Sequence, residues 1–463
     1  MLINFFRFVV KMFDNFTILA VPCLGSVCTG AVEGWTGNIS EDMKKLTFNG
    51  IPITEENLGF IGSLSTLGCV FACIPSAYLS NWVGRKVAIM LLIIPLVLGW
   101  LLIIFAQELW MLALGRFLCG LTDGAFFALL PMYVSEIAEK DIRGCLTGYF
   151  DLFLTVGILS AFTVSNFLNM HQYTIVMGCF PLIFAFLFSF QPETPVFLVM
   201  KRREKEAYRS LRLLRKGSRD VANEMEGIKL IISQDYNKKY SLLKEIQEKS
   251  VRKAILICFP LMFLQQAGGI NTVTYYTSSI FAATEVGLNE KVSTLIIGIV
   301  SVFSTFLTTL LVDKLGRRVL LIASNLGSSI AVGTLALFFT LQTKQLVEES
   351  IIDTLRFLPL ISVSLFSLAF SLGNGTIPWL LISELFPPEI KSLAAGCGAT
   401  INLITGFLLC RYYFNLTNAI GSAITFYIFS TMNLVTAIFV YYAVPETRGK
   451  SFAELQTQLK NDH

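Results

Sequence analysis

Long apolar runs separated by short polar segments make up most of this 463-residue chain. A helix that crosses a bilayer needs about 20 mostly apolar residues, and on that template the pattern predicts twelve spanning helices. They are expected at 16–36, 57–80, 87–106, 110–134, 145–168, 172–190, 254–281, 292–312, 319–340, 357–383, 393–414 and 420–443. The predicted fold class is therefore an all-α membrane protein.

One long polar interruption, residues 201–253, divides the predicted helices into six and six. It contains sixteen Lys and Arg against eight Asp and Glu. The expected organisation is a first six-helix half over residues 1–195 and a linker with short helices over 196–253. A second six-helix half follows over 254–445, and the tail covers 446–463.

The placement of charge predicts the orientation of the chain. If every helix crosses, the linker, both termini and the loops at Arg85–Lys86 and Lys140–Arg143 lie on one side. The opposite loops contain fewer basic residues, so the positive-inside rule places both termini in the cytoplasm. Asn38 begins an Asn-Ile-Ser sequence in an opposite loop and is a candidate glycosylation site. We expect the plasma membrane as the location.

The composition excludes several other classes of protein. Only 15% of the residues are charged and the mean hydropathy is +0.65, whereas soluble domains carry about 25% charged residues. No basic patch interleaves with exposed aromatics, so nucleic acid is not an expected partner. Ten cysteines without a CxxC pair and two histidines favour neither disulfides nor a metal site. No cofactor is expected, and no catalytic constellation can be assembled, so the chain is not predicted to be an enzyme.

Three charged motifs occur once in each half and in the same order. They are NWVGRK (81–86) with DKLGRR (313–318), SEIAEKDIR (135–143) with SELFPPEIK (383–391), and PETP (192–195) with PETR (445–448). Positive-inside topology explains the bases but not the matched glutamates. We interpret the motifs as a conformational latch, in which cytoplasmic bases pair with carboxylates of neighbouring helices and separate when the helices tilt. The latch residues are Arg85, Glu136, Arg143, Asp313, Arg317, Glu384 and Lys391.

The apolar seventh helix contains the polar sequence QQAGGINTVTYY (265–276). On an unbroken helix Gln266 and Asn271 point about 140° apart, but the pair Gly268-Gly269 permits a break that brings both toward one cavity. Amides offer donors and an acceptor to a hydroxyl-rich ligand. Tyr276 can add a hydroxyl or close the outer mouth. A hydrogen-bond cluster between helices is the alternative.

The tenth helix carries a second interruption, GNGTIPW (373–379). Its glycines and Pro378 predict a kinked or unwound helix, and the Trp379 indole can stack on the apolar face of a pyranose. Asn402 supplies a further amide in the middle of the eleventh helix.

Together these motifs resemble the sugar porters of the major facilitator superfamily. The resemblance rests on GRK, GRFLCG (115–120), PMYVSEIAEKDIRG (131–144), PETP, QQAGGIN, DKLGRR, GNGTIPWLLISELFP (373–387) and VPETRGKSF (444–452). The short first outer loop and the short tail are most similar to the insect facilitated trehalose transporters. The resemblance implies the major facilitator fold and a sugar site formed by Gln265, Gln266, Asn271, Tyr276, Trp379, Asn402 and Asp151.

Several positions depart from the pattern of that family. Asp151 stands where the family has a sugar-contacting glutamine, and Thr376 stands where it has a proline. Ser301, Ser371, Asn81, Asn374 and Lys391 are further departures. Glu33, Asp123 and Asp151 are intramembrane acids that can bind a proton or a substrate hydroxyl, or be satisfied locally by hydroxyl groups.

The preferred hypothesis is a facilitative uniporter for trehalose or hexoses that works by alternating access. The first-helix aspartate of proton-coupled relatives is absent, and Cys28 is the nearest residue. A proton–sugar symporter that uses Asp151 or Asp123 is the alternative, and a non-transporting sugar sensor is the third hypothesis. The expected partners are a small sugar and the lipid bilayer, and we expect a monomer.

Overall fold

The computed structural model describes residues 21–37, 42–43, 47–138, 143–215, 221–236, 247–284, 289–344, 348–448, 450 and 452–461. Over these residues the regular structure is helical, apart from one isolated antiparallel bridge between Phe48 and Ile51. The predicted all-α class is confirmed.

The helices of the first half and the linker follow the predicted order. The first half contains α1 (21–37), α2 (Glu55–Val83), α3 (Arg85–Ile104), α4 (Leu109–Ile137), α5 (Arg143–Ser165) and α6 (Met170–Ser189). The linker contains α7 (Pro195–Met200), α8 (Glu204–Leu214) and α9 (Val221–Tyr236).

The second half contains two spans that are split into shorter helices. It comprises α10 (Lys249–Ala267), α11 (Ile270–Tyr275), α12 (Thr277–Ala282), α13 (Glu290–Leu315), α14 (Arg317–Thr343), α15 (Glu349–Thr354), α16 (Leu358–Leu372), α17 (Ile377–Leu385), α18 (Pro388–Ile420) and α19 (Ser422–Ala443). The tail forms α20 (Phe452–Asn461).

Ten helical segments in the described part of the chain are long and apolar enough to cross a membrane. A shorter apolar segment, Tyr149–Ser165, corresponds to the fifth predicted span. The first predicted span, 16–36, is represented by α1, because residues 1–20 lie outside the described ranges. Each of the twelve predicted spans therefore coincides with helix in the described residues.

Glycines allow α2 and α4 to pack with their backbones close together. A Cβ atom placed on Gly124 would lie 2.5 Å from the Cα of Cys69, and one on Gly68 would lie 2.8 Å from the amide nitrogen of Leu121. Small residues at helix interfaces permit such close approach where no water drives association. This contact gives the first half a rigid centre.

The linker and tail helices are attached to the ends of the two halves. The Arg215 guanidinium at the end of α8 donates to the carbonyl of Ile137 in α4 (2.9 Å). In the second half, the Gln456 amide of α20 donates to the carbonyl of Leu385, the last residue of α17 (2.8 Å). We call the end that carries these attachments the basic end, and the opposite end, where α2 begins and α18 finishes, the acidic end.

The two halves are joined by polar contacts at the acidic end. The contacts are Asp42 with Lys291 (2.9 Å), Glu56 with Arg411 (3.4 Å) and Glu55 with Asn418 (3.0 Å). A Cβ atom on Gly37 of α1 would be blocked by the carbonyl of Thr274 in α11. The acidic end is therefore closed in this conformation.

Candidate functional site

The seventh span is broken at Gly268-Gly269, as the sequence predicts. Helix α10 ends at Ala267, and Gly269 has φ +90°, a left-handed conformation that side chains other than glycine rarely adopt. The chain resumes as α11 at Ile270 and breaks again at Tyr276 before α12. The polar side chains of QQAGGIN are thereby placed around a turn and not along one helical face.

The tenth span is unwound between α16 and α17, which confirms the second predicted interruption. Helix α16 ends at Leu372 and α17 begins at Ile377, with Pro378 in its first turn, where a missing N–H costs nothing. The Asn374 backbone N–H donates to the Ser324 hydroxyl of α14 (2.9 Å). This bond fixes the unwound segment against the rest of the second half.

An amide network connects these two breaks. Gln265 Nε2 donates to the carbonyls of Asn374 (2.5 Å) and Gly375 (3.1 Å). Asn402 Nδ2 donates to Gln265 Oε1 (2.7 Å), and Gln266 Nε2 donates to Asn402 Oδ1 (3.0 Å). The structure therefore brings together Gln265, Gln266 and Asn402, each more than nine-tenths buried.

The network leaves hydrogen-bonding capacity unused. Gln266 Oε1 and both side-chain polar atoms of Asn374 are buried without a partner among the described residues. A Cβ atom on Gly406 would lie 2.9 Å from Asn271 Nδ2 and 3.4 Å from Gln266 Oε1. Gln266 and Asn271 therefore converge on the same glycine, and their place in one ligand site stays a prediction. Buried polar atoms without partners favour a ligand that supplies them.

Asp151 contacts the unwound segment, and Trp379 follows the segment in the chain. Thr376 Oγ1 donates to Asp151 Oδ2 of α5 (3.2 Å), so the first half contacts the segment directly. Trp379, in the first turn of α17, keeps 40% of its surface exposed. Its indole is available for stacking, while Asp151 offers an acceptor.

Tyr276 lies in the closed acidic end and not beside the amides. Its side chain is fully buried, and its hydroxyl donates to the carbonyls of Cys410 (3.0 Å) and Gly59 (3.5 Å). The ring stacks on Tyr413 with centroids 5.3 Å apart and an interplanar angle of 8°. Because Gly59 belongs to the first half, this placement matches the second expected role, closing the outer mouth.

The intramembrane acid Asp123 faces the interior of the first half. It is 1% exposed, and neither carboxylate oxygen has a hydrogen-bond partner in the described ranges. The neighbouring Thr29 hydroxyl donates to the carbonyl of Gly25 instead (3.4 Å). Arg116, which is also buried, donates to the carbonyl of Val32 (2.8 Å) and lies over the Trp35 ring.

Two latch pairs form at the basic end. Arg85 NH2 lies 3.1 Å from Glu136 Oε1, and Arg317 NH2 lies 3.4 Å from Glu384 Oε1. Each pair joins helices of the same half, α3 with α4 and α14 with α17. The pairs therefore have the predicted chemistry, but neither crosses between the halves.

The glutamates of PETP and PETR complete these turns, and sequence reasoning assigned them no role. Glu193 accepts from the backbone N–H groups of Arg85 and Lys86 (both 3.1 Å). Glu446 accepts from those of Arg317 (3.0 Å) and Arg318 (3.1 Å). The signal available in the sequence was the repetition of PET at the same place in both halves.

Opposing effects act on the carboxyl of Glu446, which lies outside the spanning segments. Partial burial raises its pKa. Hydrogen bonds from the backbone N–H groups of Arg448, Arg317 and Arg318 lower the pKa by more than burial raises it. The pKa of Glu446 is therefore held below its usual value.

The structure gives less information on four other residues that the sequence predicted to be functional. Helix α5 begins at Arg143 and α13 contains Asp313, but both side chains lie outside the described part. Lys391 is exposed on α18, and Asn38 lies outside the described residues.

Comparisons with known proteins agree with this architecture. The family model described as sugar (and other) transporter matches residues 19–459. The chain is 31% identical to a facilitated trehalose transporter of Polypedilum vanderplanki and 32% identical to one of Apis mellifera ligustica. Each alignment covers 94% of this chain and 86% of the relative.

A solved structure shows the same fold. The inward-open xylose transporter XylE from E. coli superposes with a TM-score of 0.79, covering 96% of this chain and 99% of that one at 22% identity. The architecture is therefore that of the major facilitator superfamily, and the relatives are transport proteins rather than enzymes. On the match to the family model and the identity to these relatives, the chain belongs to the sugar transporter family.

Proposed function

We propose that the protein is a facilitative transporter of trehalose or hexoses that works by alternating access. The observation that carries the proposal is the amide network at the meeting point of two broken helices. Broken helices between repeated halves are the usual place for a carrier site near the bilayer midplane. Gln265, Gln266 and Asn402 present there the donors and acceptors that a neutral sugar requires.

The amide network has a defined role in binding. The three amides bond to one another and to the backbone carbonyls of Met262, Asn374 and Gly375, and these bonds hold them in place. Sugar hydroxyls replace some of these bonds and pair with the unpartnered oxygen of Gln266. Trp379 adds an apolar surface for the sugar ring, and Asn271 approaches from the other side of the break.

Alternating access follows from the contacts between the halves. The acidic end is closed by Tyr276 and the polar contacts, which must separate when the carrier opens there. We assign the basic end to the cytoplasm, because basic loops remain on the cytoplasmic side. Both termini are then cytoplasmic, the protein acts in the plasma membrane, and one chain supplies the whole site as a monomer.

The site assignment is tested by uptake of labelled sugar in cells that express site variants. Trp379→Ala and Gln266→Ala are expected to reduce initial uptake at least tenfold. The loss of one buried polar or aromatic contact with the substrate has an effect of about this size. Surface biotinylation confirms that each variant reaches the membrane. Trp82→Ala is the matched control, because Trp82 is 77% exposed on α2 and should transport normally. Normal uptake by both site variants would contradict the proposed site.

Proton–sugar symport is the second candidate, and one observation favours it. The buried carboxylate of Asp123 has no hydrogen-bond partner among the described residues, and a proton would neutralise it. In this case uptake would require a pH gradient and would be lost in Asp123→Asn or Asp151→Asn. Under the uniport proposal, the gradient leaves uptake unchanged.

A further inference from the structure

Two departures from the family motif contact each other across the two halves. Asp151 of α5 replaces a glutamine, and Thr376, between α16 and α17, replaces a proline. Thr376 Oγ1 donates to Asp151 Oδ2 at 3.2 Å, although the residues are 225 positions apart. Neither change was explained by its own sequence context, but together they form one polar contact.

Thr376 connects Asp151 to the amide network. The neighbouring carbonyl of Gly375 accepts from Gln265, which in turn accepts from Asn402. Thr376 occupies the position before the first turn of α17, where a threonine usually caps the helix. Its side chain makes no capping bond there, because its hydroxyl is directed to Asp151. Asp151 therefore reaches the edge of the amide network from the first half.

The exchange of glutamine for aspartate changes what this position can recognise. A glutamine amide both donates and accepts, whereas an ionised carboxylate only accepts. Among the described side chains Asp151 forms no ion pair, and Thr376 donates to its Oδ2. Asp151 is half-buried, so its other oxygen, Oδ1, can accept a hydrogen bond from a ligand.

We propose that Asp151, positioned by Thr376, selects substrates that present a hydrogen-bond donor at one ring position. The donor is a hydroxyl or a protonated amine, so amino sugars belong to the substrate class. An analogue with fluorine at that position only accepts, and it is rejected. This inference rests on the proposed sugar site and specifies the chemistry of one contact in it.

The test measures binding, which does not require transport. Purified protein is titrated with glucose and with its deoxyfluoro and amino-deoxy analogues at each ring position, and thermal stabilisation reports affinity. At one position, fluorine should weaken binding about tenfold or more, while the amine binds at least as well as the hydroxyl. In Asp151→Gln the fluorine penalty at that position should fall below about threefold, because a glutamine can donate. Penalties at the other positions should not change.

Variants of Thr376 test the positioning role separately. Thr376→Val removes the hydroxyl at nearly constant shape and should reduce discrimination at the same ring position, whereas Thr376→Ser should retain it. Equal discrimination by the valine and serine variants would overturn the role of Thr376. An unchanged fluorine penalty in Asp151→Gln would overturn the role of Asp151.

The result is distinguishable from failure of the transport proposal. Binding that discriminates donors without any sugar uptake would support this inference and contradict transport. Saturable uptake with no preference among hydroxyl, amine and fluorine would support transport and overturn this inference. Binding that changes with pH but is equally strong for the hydroxyl and fluorine analogues would assign a proton to Asp151. That result would also overturn this inference.

Discussion

Removal of one hydroxyl at the closed acidic end should shift the balance between closed and open states. In Tyr276→Phe the ring and its stacking on Tyr413 remain, but the hydroxyl no longer donates to the carbonyls of Cys410 and Gly59. Gly59 lies in the first half, and Cys410 lies in the second. Tyr276 also lies in the second half, so only its contact with Gly59 joins the halves and is lost when this end opens.

The magnitude follows from the geometry of the two contacts. The bond to Cys410 (3.0 Å) has ordinary length, whereas that to Gly59 (3.5 Å) is at the limit of a hydrogen bond. A typical intramolecular hydrogen bond contributes about 1 kcal/mol, and this is the upper value for the long contact with Gly59, which joins the halves. Since 1.4 kcal/mol is tenfold in an equilibrium constant, the open population should rise by up to about fivefold.

The thiol of Cys410 reports this opening directly. Cys410 is a free cysteine with no exposed surface in the closed conformation. All other cysteines are replaced by alanine, and the rate of alkylation by a membrane-impermeant maleimide is measured from the acidic side. If opening precedes alkylation, the rate follows the open population, and Tyr276→Phe should react faster, by up to about fivefold.

The matched control is Tyr413→Phe, which changes the stacked partner ring. Tyr413 packs against Tyr276, but among the described residues its hydroxyl makes no hydrogen bond between the halves. It should leave the alkylation rate of Cys410 within about twofold of the parent. Equal rates in the parent and Tyr276→Phe, or equal increases in both variants, would refute the assignment of Tyr276 to the closure.

Three further predictions concern a helix break and charged contacts within the halves. Gly269→Ala should lower the melting temperature, because a left-handed residue with a Cβ costs about 1–2 kcal/mol. This Cβ would also lie 2.7 Å from the Phe429 ring. Gly227→Ala is the control, because Gly227 has open space around it. Glu136→Gln and Glu384→Gln should change turnover more than equilibrium sugar affinity, and a change in affinity alone would contradict the latch. Because the folded pKa of Glu446 is lowered, its stabilisation is present above the ordinary glutamate pKa of about 4.3 and disappears as pH falls through the folded value. Glu446→Gln should therefore melt lower at pH 7 and lose less stability on acidification.

The sequence predicted the spans and the two breaks because both depend on local chemistry. A single apolar run of sufficient length crosses a bilayer as a helix, because a helix satisfies all backbone hydrogen bonds within the segment. At Gly268-Gly269, and again between Leu372 and Ile377, the residues that permit a break are adjacent in the chain. Local reasoning was therefore sufficient for these features.

Partners that are distant in sequence could not be predicted in the same way. The sequence paired cytoplasmic bases with carboxylates of neighbouring helices but did not say which. Glu136 lies against Arg85, because the ends of α3 and α4 meet at the basic end. The sequence allowed Tyr276 either to add a hydroxyl to the site or to close the outer mouth. The break at Gly269 and the packing of the halves bring its hydroxyl to Gly59. The pairing of Asp151 with Thr376 likewise depends on how the halves meet.

The measurement that tests the central claim most directly is uptake of labelled trehalose into proteoliposomes that contain the purified protein. Unlabelled glucose serves as competitor, and uptake is measured with and without a pH gradient. We expect saturable uptake of trehalose, or of hexoses in its place, at a rate that the gradient does not change. Uptake that occurs only with the gradient would contradict uniport, and no uptake of trehalose or hexoses would contradict the proposed function itself.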